Sequence, residues 1–338
     1  MSDAAGTASR PATAVAEQPE AEGRLRDHTV LVTGATGFVG TRVCRELARS
    51  GARVRGLVRS VAKAAERLAE FPIELHVGDI RDATSLGRAM RGCTSVVHLA
   101  AIAIERPGQT YDEVNARGTE RVLAAMRAAG VRRLVHMSQN FASSTSPYRF
   151  LRSKGMAEDA VRASQAEWTV LCPSVIFGPQ DEFVNVLARL VRLSPVIYPV
   201  PGGGSARFQP ISVDDVARVV AVALGRAGTV GRAYPLGGPA QLTLRQMVER
   251  VLLAMEARRI LVPVPTAVLR PVIALFQRIL PNPPVTTDLL DLLAVDNVVE
   301  GNALRDAFGI VPTPFAPEEL EYLRAISAGD AFRSLLGR

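Results

Sequence analysis

Gly34, Gly37 and Gly40 stand three residues apart in the run Thr33-Gly34-Ala35-Thr36-Gly37-Phe38-Val39-Gly40, and a run of that kind can hold phosphate. An apolar stretch at 29–32 leads into it and an amphipathic stretch to about residue 50 leads out. Strand, loop and helix in that order turn free backbone N–H groups and the positive end of a helix dipole toward the pyrophosphate of a dinucleotide. The first glycine permits the tight turn. The second removes a side chain where backbone meets pyrophosphate, and the third lets the helix pack closely on its strand. Thr36, Phe38 and Val39 belong to the same candidate contact set.

The choice of dinucleotide turns on the end of the second strand, where a carboxylate would accept both ribose hydroxyls of NAD(H). Here that strand ends Val58-Arg59-Ser60, with no acidic residue before Glu66. The planar fork of Arg59 suits a 2′-phosphate, and Lys63, one helical turn on, adds a second charge. NADP(H) is therefore expected in preference to NAD(H). Lys63 and Lys154 are the only lysines among 40 basic residues. Where any positive charge serves, this chain uses arginine, so a lysine at 154 points to a compact ammonium, as for bridging ribose hydroxyls. Ser138, just after the fifth predicted strand, and Tyr148 are the other candidate catalytic groups, and a capping role for Ser138 stays open. Tyr148 precedes Lys154 by six residues, about 240° around an ideal helix. The two share a face only if the chain before Phe150 is not helical, a start that Pro147 suits.

These residues need a scaffold, and the apolar rhythm describes one. It predicts strands at 29–32, 53–58, 73–77, 95–99, 133–137 and 168–172, alternating with helices at about 38–50, 61–70, 85–91, 111–129 and 150–163. Parallel strands need crossover helices, so this alternation builds an α/β, Rossmann-type doubly wound parallel sheet. After Pro173 the rhythm changes. Gly178-Pro179 and the stretch 199–205 are breakers, and helices are predicted at 182–193, 213–224, 244–257, 266–280, 287–293 and 317–326, with a strand over 208–213. The expected division is a disordered tail over 1–26, a dinucleotide-binding domain over 27–178 to which 208–237 returns, a smaller and mainly helical lobe from 179–207 and 238–328, and a tail over 329–338. The Gly202-Gly203-Gly204 loop with Arg207 is either a flap over the crevice or a flexible connection.

Composition narrows the function classes. The 338 residues carry 48% hydrophobic and 22% charged side chains, enough for a sizeable core. The net charge of +7 is spread without a basic block, and aromatics are only 5%, which together argue against a nucleic-acid partner. Cys44, Cys93 and Cys172 and the four histidines show no metal-like spacing, so no metal site is expected. The N-terminal stretch lacks the apolar core of a secretory signal, and Arg270, Pro271, Gln277 and Arg278 interrupt the apolar stretch 260–280. No transmembrane segment is expected, and the expected location is the cytoplasm, free or peripheral at the membrane face. The stretch 262–280, flanked by Arg258 and Arg259, is either a helix of the small lobe's core or one that lies at a membrane surface or interface.

Further motifs stand in a recognisable order: Gly78-Asp79-Ile80, His98-Leu99-Ala100-Ala101, Asn115-Ala116-Arg117-Gly118-Thr119, and Pro173-Ser174-Val175-Ile176-Phe177-Gly178-Pro179. With the glycine spacing, they resemble the atypical and extended short-chain dehydrogenase/reductase superfamily over residues 30 to 220. That resemblance implies that Asp79 and Ile80 hold the adenine, and that Ala100, Ala101, Pro173 and Val175 line the cofactor. It also implies a Tyr-x-x-x-Lys pair on the fifth helix, in which Lys154 fills the lysine position and Phe150 stands where the tyrosine belongs. Phenylalanine has no proton to give. The stretches 150–158 and 173–183, Phe208-Gln209-Pro210-Ile211-Ser212-Val213-Asp214-Asp215, 280–286 and Asp296-Asn297-Val298-Val299 resemble the branch containing the nucleotide-binding accessory subunit of respiratory complex I and its bacterial relatives. The branch implies NADPH held as a structural, assembly or sensing ligand near a quinone site, in association with a respiratory complex. The superfamily at large implies instead an NADPH-dependent reductase, isomerase or epimerase acting on a small carbonyl or quinone-like substrate.

Overall fold

The computed structural model describes residues 25–280, 283, 285–301 and 303–335. Six strands, β1 (Thr29–Thr33), β2 (Arg53–Val58), β3 (Ile73–Val77), β4 (Ser95–His98), β5 (Arg133–Met137) and β6 (Glu167–Pro173), alternate with helices α1 (Phe38–Arg49), α2 (Val61–Leu68), α3 (Ala83–Met90), α4 (Arg117–Ala129) and α5 (Arg149–Ala163). A seventh strand, Arg232–Leu236, completes a parallel sheet by adding to the outer edge of β6. The order across the sheet is that edge strand, then β6, β5, β4, β1, β2 and β3. Every residue of β1, β4 and β5 is buried, which is why these strands carry continuous apolar centres, with buried polar residues at or near their ends. Helix α1 packs beside α7 (Val213–Gly225) on one face, while α3, α4 and α5 pack in succession on the other. The chain reverses its direction of winding between β1 and β4, and a crevice opens there at the carboxyl ends of the strands.

A second apolar cluster lies beyond the sheet, built from α6 (Val184–Leu193), α8 (Leu244–Ala254) and the 3₁₀ stretch Pro317–Ala325. It contains a feature that the prolines concealed. Ile197–Pro201 pairs in parallel with Ile260–Val264, where sequence suggested breakers and the start of a helix. The ladder has two strands only, so each has an open edge, and residues without an N–H are tolerated there. Helix α9 (Thr266–Ile279) follows, packs beside α10 (Thr287–Leu292), and has no fully buried residue. Among the described residues no helix is long and apolar enough to cross a membrane.

Both expected tails need correction where they can be seen. Residues 1–24 and 336–338 lie outside the described residues, but Leu25 is buried in the main core, and its N–H donates to the Ser50 carbonyl at 3.1 Å. Residues 328–335 form the helix Ala328–Leu335, which buries Ala331 and packs on α6, because Ala331 and Leu335 recur one turn apart on an apolar face. The helix expected over 111–129 begins with a π turn, Asp112–Ala116, before the α-helical part starts.

Candidate functional site

The glycine loop closes as its spacing requires. Gly34 adopts φ +73°, and the Gly37 N–H donates to the Gly34 carbonyl at 2.9 Å. A Cβ on Gly34 would stand 3.0 Å from the Ala100 backbone nitrogen, and one on Gly40 would stand 2.0 Å from the Gly34 carbonyl oxygen. Gly40 is thus needed for the approach of α1 to the loop itself, a closer constraint than packing on the strand. No side chain caps the first turn of α1, and no acidic residue stands in it. Its N–H groups and dipole remain available for an anion, so the cradle fits a pyrophosphate.

Around this loop lies a cavity of about 380 Å³. Gly34, Thr36, Gly37 and Phe38 line its phosphate end, and Arg59, Lys63, Asp79, Ile80, Ala100 and Ala101 line the remainder, together with residues the sequence did not single out. Gly40 and Val39 do not line it, and Val39 packs partly against the core. Two of the added residues are cationic. Arg67 donates to the Thr36 carbonyl at 2.9 Å and so ties α2 to the glycine loop. Arg81 forks onto Asp79, with Nη2 2.9 Å from Oδ2 and Nε 3.1 Å from Oδ1. That guanidinium holds the Asp79 carboxyl below the usual carboxylate range, against the opposing effect of burial. Four cations therefore face two carboxylates, Asp79 and Glu182, and the excess positive charge gathers beside the end of β2.

A buried polar chain fixes the floor. Thr33 Oγ1 lies 2.7 Å from His98 Nδ1, and His98 Nε2 lies 3.0 Å from Thr119 Oγ1. Thr119 donates to the Asn115 carbonyl at 2.7 Å. The Asn115 amide accepts from the Ile102 N–H at 2.9 Å and donates to Ser153 Oγ at 3.0 Å. The π turn carries Asn115 into this position, so one side chain clamps the loop after β4 onto α5. Gly118 serves a different approach, that of α4 to the loop after β3, because a Cβ there would meet Ile80 Cδ1 at 2.7 Å. Burial pushes the His98 imidazole down to about 3, which keeps it neutral in the chain.

The three candidate catalytic residues each have their own partners, Lys154 and Ser138 around the end of β5 and Tyr148 at the start of α5. Lys154 is buried, and its ammonium donates to the Met137 carbonyl at 2.6 Å, beneath the end of β5. Ser138 donates to Glu158 Oε2 at 2.6 Å, and the other oxygen of that buried carboxylate accepts from Arg162. Tyr148 sits just outside α5 as its N-cap residue, in extended conformation, and its carbonyl accepts from the Arg152 N–H at 2.8 Å. Phe150 packs edge-on to Tyr111, centroids 5.8 Å apart.

Burial pushes the Lys154 ammonium down to about 8, with Cys172 and Glu158 acting in the opposite direction. This has a consequence for stability. Below pH 8 the proton is bound in folded and unfolded chains alike, and stability does not vary with it. Above pH 8 the folded chain releases it while the unfolded chain, with an ordinary lysine, keeps it. Stability should therefore rise with pH, approaching about 1.4 kcal/mol per pH unit. The buried thiols of Cys44 and Cys172, pushed up to about 12, act oppositely at higher pH, so the useful window is pH 8 to 9. Denaturant titrations across that window should give the wild type a steeper rise than Lys154→Met. Equal slopes would show that Lys154 does not titrate there.

A second cavity of about 260 Å³ adjoins the first, sharing Phe38 and Glu182 with it. Val175, Phe150, Gln139, Asn140 and Phe141 line it. Pro173, at the end of β6, lines neither cavity, and its carbonyl accepts from the Asn140 N–H at 2.9 Å. The Asn140 side chain donates to Asn297 Oδ1 and to the Val298 carbonyl, each at 3.0 Å, and Ser174 Oγ donates to the Asn297 carbonyl at 2.6 Å. The segment around Asn297 thus crosses over the ends of β5 and β6. Arg207 forks onto Asp296 at 2.8 and 3.0 Å, so its guanidinium is held beside that segment and does not line the crevice.

The comparisons agree with this architecture. A 2-alkyl-3-oxoalkanoate reductase of Stenotrophomonas maltophilia is 28% identical over 333 residues, covering 88% of this chain and 99% of its own. Subunit 9 of the NADH dehydrogenase [ubiquinone] 1 alpha subcomplex, mitochondrial, of Arabidopsis thaliana is 29% identical over 310 residues, 86% of this chain and 76% of its own. The crystal structure of gox2253 superposes with a TM-score of 0.69 at 25% identity, covering 88% of this chain and 97% of its own. The model of the NAD dependent epimerase/dehydratase family matches residues 30–237, the sheet, its crevice and the edge strand included, and this chain belongs to that nicotinamide-dinucleotide-binding family.

Proposed function

We propose that this chain holds NADP(H) in a structural, assembly or sensing role related to that of the complex I subunit it resembles, and does not consume it. Phe150 carries the proposal. Hydride transfer to a carbonyl needs a proton donor at the reacting oxygen, and general acid catalysis contributes on the order of 10²–10⁴ in rate. Phe150 has none to offer, the Ser138 hydroxyl donates its one proton to Glu158, and one N–H of the Lys154 ammonium is directed to the Met137 carbonyl. Arg59 and Lys63 on the cavity wall, with Arg67 beside them, support the 2′-phosphorylated cofactor. In this reading the glycine loop takes the pyrophosphate, Asp79 and Ile80 flank the adenine, and Ala100, Ala101, Pro173 and Val175 follow the cofactor toward Phe150. The protein works at the cytoplasmic face of the membrane, in contact with a respiratory complex.

A second reading, an NADPH-dependent reductase, isomerase or epimerase acting on a small carbonyl or quinone-like substrate, is favoured by the apolar cavity next to Phe150. One experiment separates the two. The purified chain is expected to retain stoichiometric NADPH and to show no steady oxidation of it when quinones or carbonyl compounds are added. Steady turnover that disappears in Lys154→Ala would overturn the holding role.

A further inference from the structure

Beyond the cavity at Phe150 lies a third, of about 610 Å³, which shares Glu182, Phe183, Leu289 and Leu293 with it. Glu182 lines all three, so the cavities run in sequence from the glycine loop, past Phe150, into the second lobe. Apart from Glu182 at its mouth, the third is walled without a charged side chain. Leu187 and Val248, from α6 and α8, lie on one side, and Leu269, Ile273 and Phe276 of α9 on the other.

Protein interiors close-pack and leave few voids larger than a water molecule. A hollow of this size and composition is the kind that binds an apolar ligand, and its volume falls within the usual range for ligand pockets, about 300–1,000 Å³. Helix α9 supports the same conclusion, for it has a wide apolar face yet buries nothing completely. Its Val268, Val272, Leu275 and Ile279 are exposed and recur at helical spacing beside the residues that wall the hollow. The apolar wall therefore continues onto the outer surface, and a hydrocarbon can enter along α9 without crossing a charged rim. A protruding side chain of a partner would fill a surface dimple. A series of cavities that reaches toward the nucleotide crevice fits a long, flexible chain.

We propose that the hollow under α9 binds the hydrocarbon tail of a lipid. This site goes beyond nucleotide retention and stands whether or not hydride is transferred. The test uses the full chain loaded with NADPH, titrated calorimetrically with 1-octanol, 1-decanol and 1-dodecanol. Burial of the tail predicts affinity rising about fourfold per added methylene. Farnesol beside 1-dodecanol distinguishes the source: tighter farnesol indicates a prenyl tail, tighter dodecanol a fatty chain. Ile273→Trp and Leu190→Trp fill the hollow and should each weaken dodecanol at least tenfold while leaving NADPH binding unchanged. A diazirine-bearing dodecanol, irradiated with the wild-type chain, should label α6, α8 or α9, a result that does not depend on either variant folding. Affinity independent of chain length, undiminished dodecanol binding in both tryptophan variants, or labelling confined to the sheet would each overturn the proposal. Loss of NADPH with chain-length dependence intact would sink the nucleotide reading alone.

Discussion

Gly40→Ala is expected to weaken nucleotide binding by at least about 100-fold, since losing even two charge-assisted hydrogen bonds to phosphate costs about 3–6 kcal/mol. The added methyl would stand 2.0 Å from the Gly34 carbonyl oxygen and 3.0 Å from the Ala35 carbonyl carbon. Both are backbone atoms, so no rotamer change relieves the contact. Either α1 lifts away or the loop opens, and both movements misalign the N–H groups offered to the pyrophosphate. Overpacking of this kind also costs about 1–3 kcal/mol of stability. Gly87→Ala is the matched control. Gly87 lies inside α3, a Cβ there meets nothing within 4 Å, and helix propensity alone makes that change neutral to slightly stabilising. Fluorescence titration with NADPH and thermal unfolding of both variants check the pair. Gly40→Ala binding NADPH as the wild type does would show that the phosphates do not rest on this loop.

Arg59→Ala should separate the two cofactors. A charge-assisted hydrogen bond to a phosphate is worth about 1.5–3 kcal/mol, so NADPH should bind about 10- to 100-fold more weakly while NADH changes by less than about twofold. Arg67→Ala should behave differently, because Arg67 also holds the Thr36 carbonyl of the glycine loop. Its loss should weaken NADH and NADPH together. The ratio of the two affinities is the measurement that matters, and an unchanged ratio in Arg59→Ala removes the case for a 2′-phosphate at that position.

The parts of the fold that sequence expressed well are those in which a single force dominates. The bounds of β2, β3 and β5 coincide with the predicted runs: β5 is buried throughout, while β2 and the edge strand β3 alternate apolar with polar residues between polar turns. The phosphate loop was legible for a related reason, since its glycines answer to backbone collisions that no other residue type escapes. The proline-bearing ladder of Ile197–Pro201 and Ile260–Val264 was hidden because local breakers outvoted a pairing between segments far apart in sequence. Ser138 illustrates a different limit. Its place after β5 is plain from sequence, but which way its hydroxyl turns depends on Glu158, twenty residues away on α5. Arg67 and Arg81 were missed because long side chains reach the crevice from positions where arginine is ordinary. The one available signal was that no carboxylate follows β2, which makes every nearby cation worth examining.

The crossing of Asn297 over the sheet has a temporal side. Asn140 and Asn297 are 157 residues apart, and their contact helps to close the crevice at the end away from the phosphates. At ribosomal speeds of about 5–20 residues per second, the second asparagine emerges on the order of 10–30 s after the first. The glycine loop, β2 and the floor around Asn115 are all synthesised before that contact can form. For that interval the nascent chain lacks the segment that crosses the ends of β5 and β6, so the cavity beside Phe150 stays uncovered until translation nears its end.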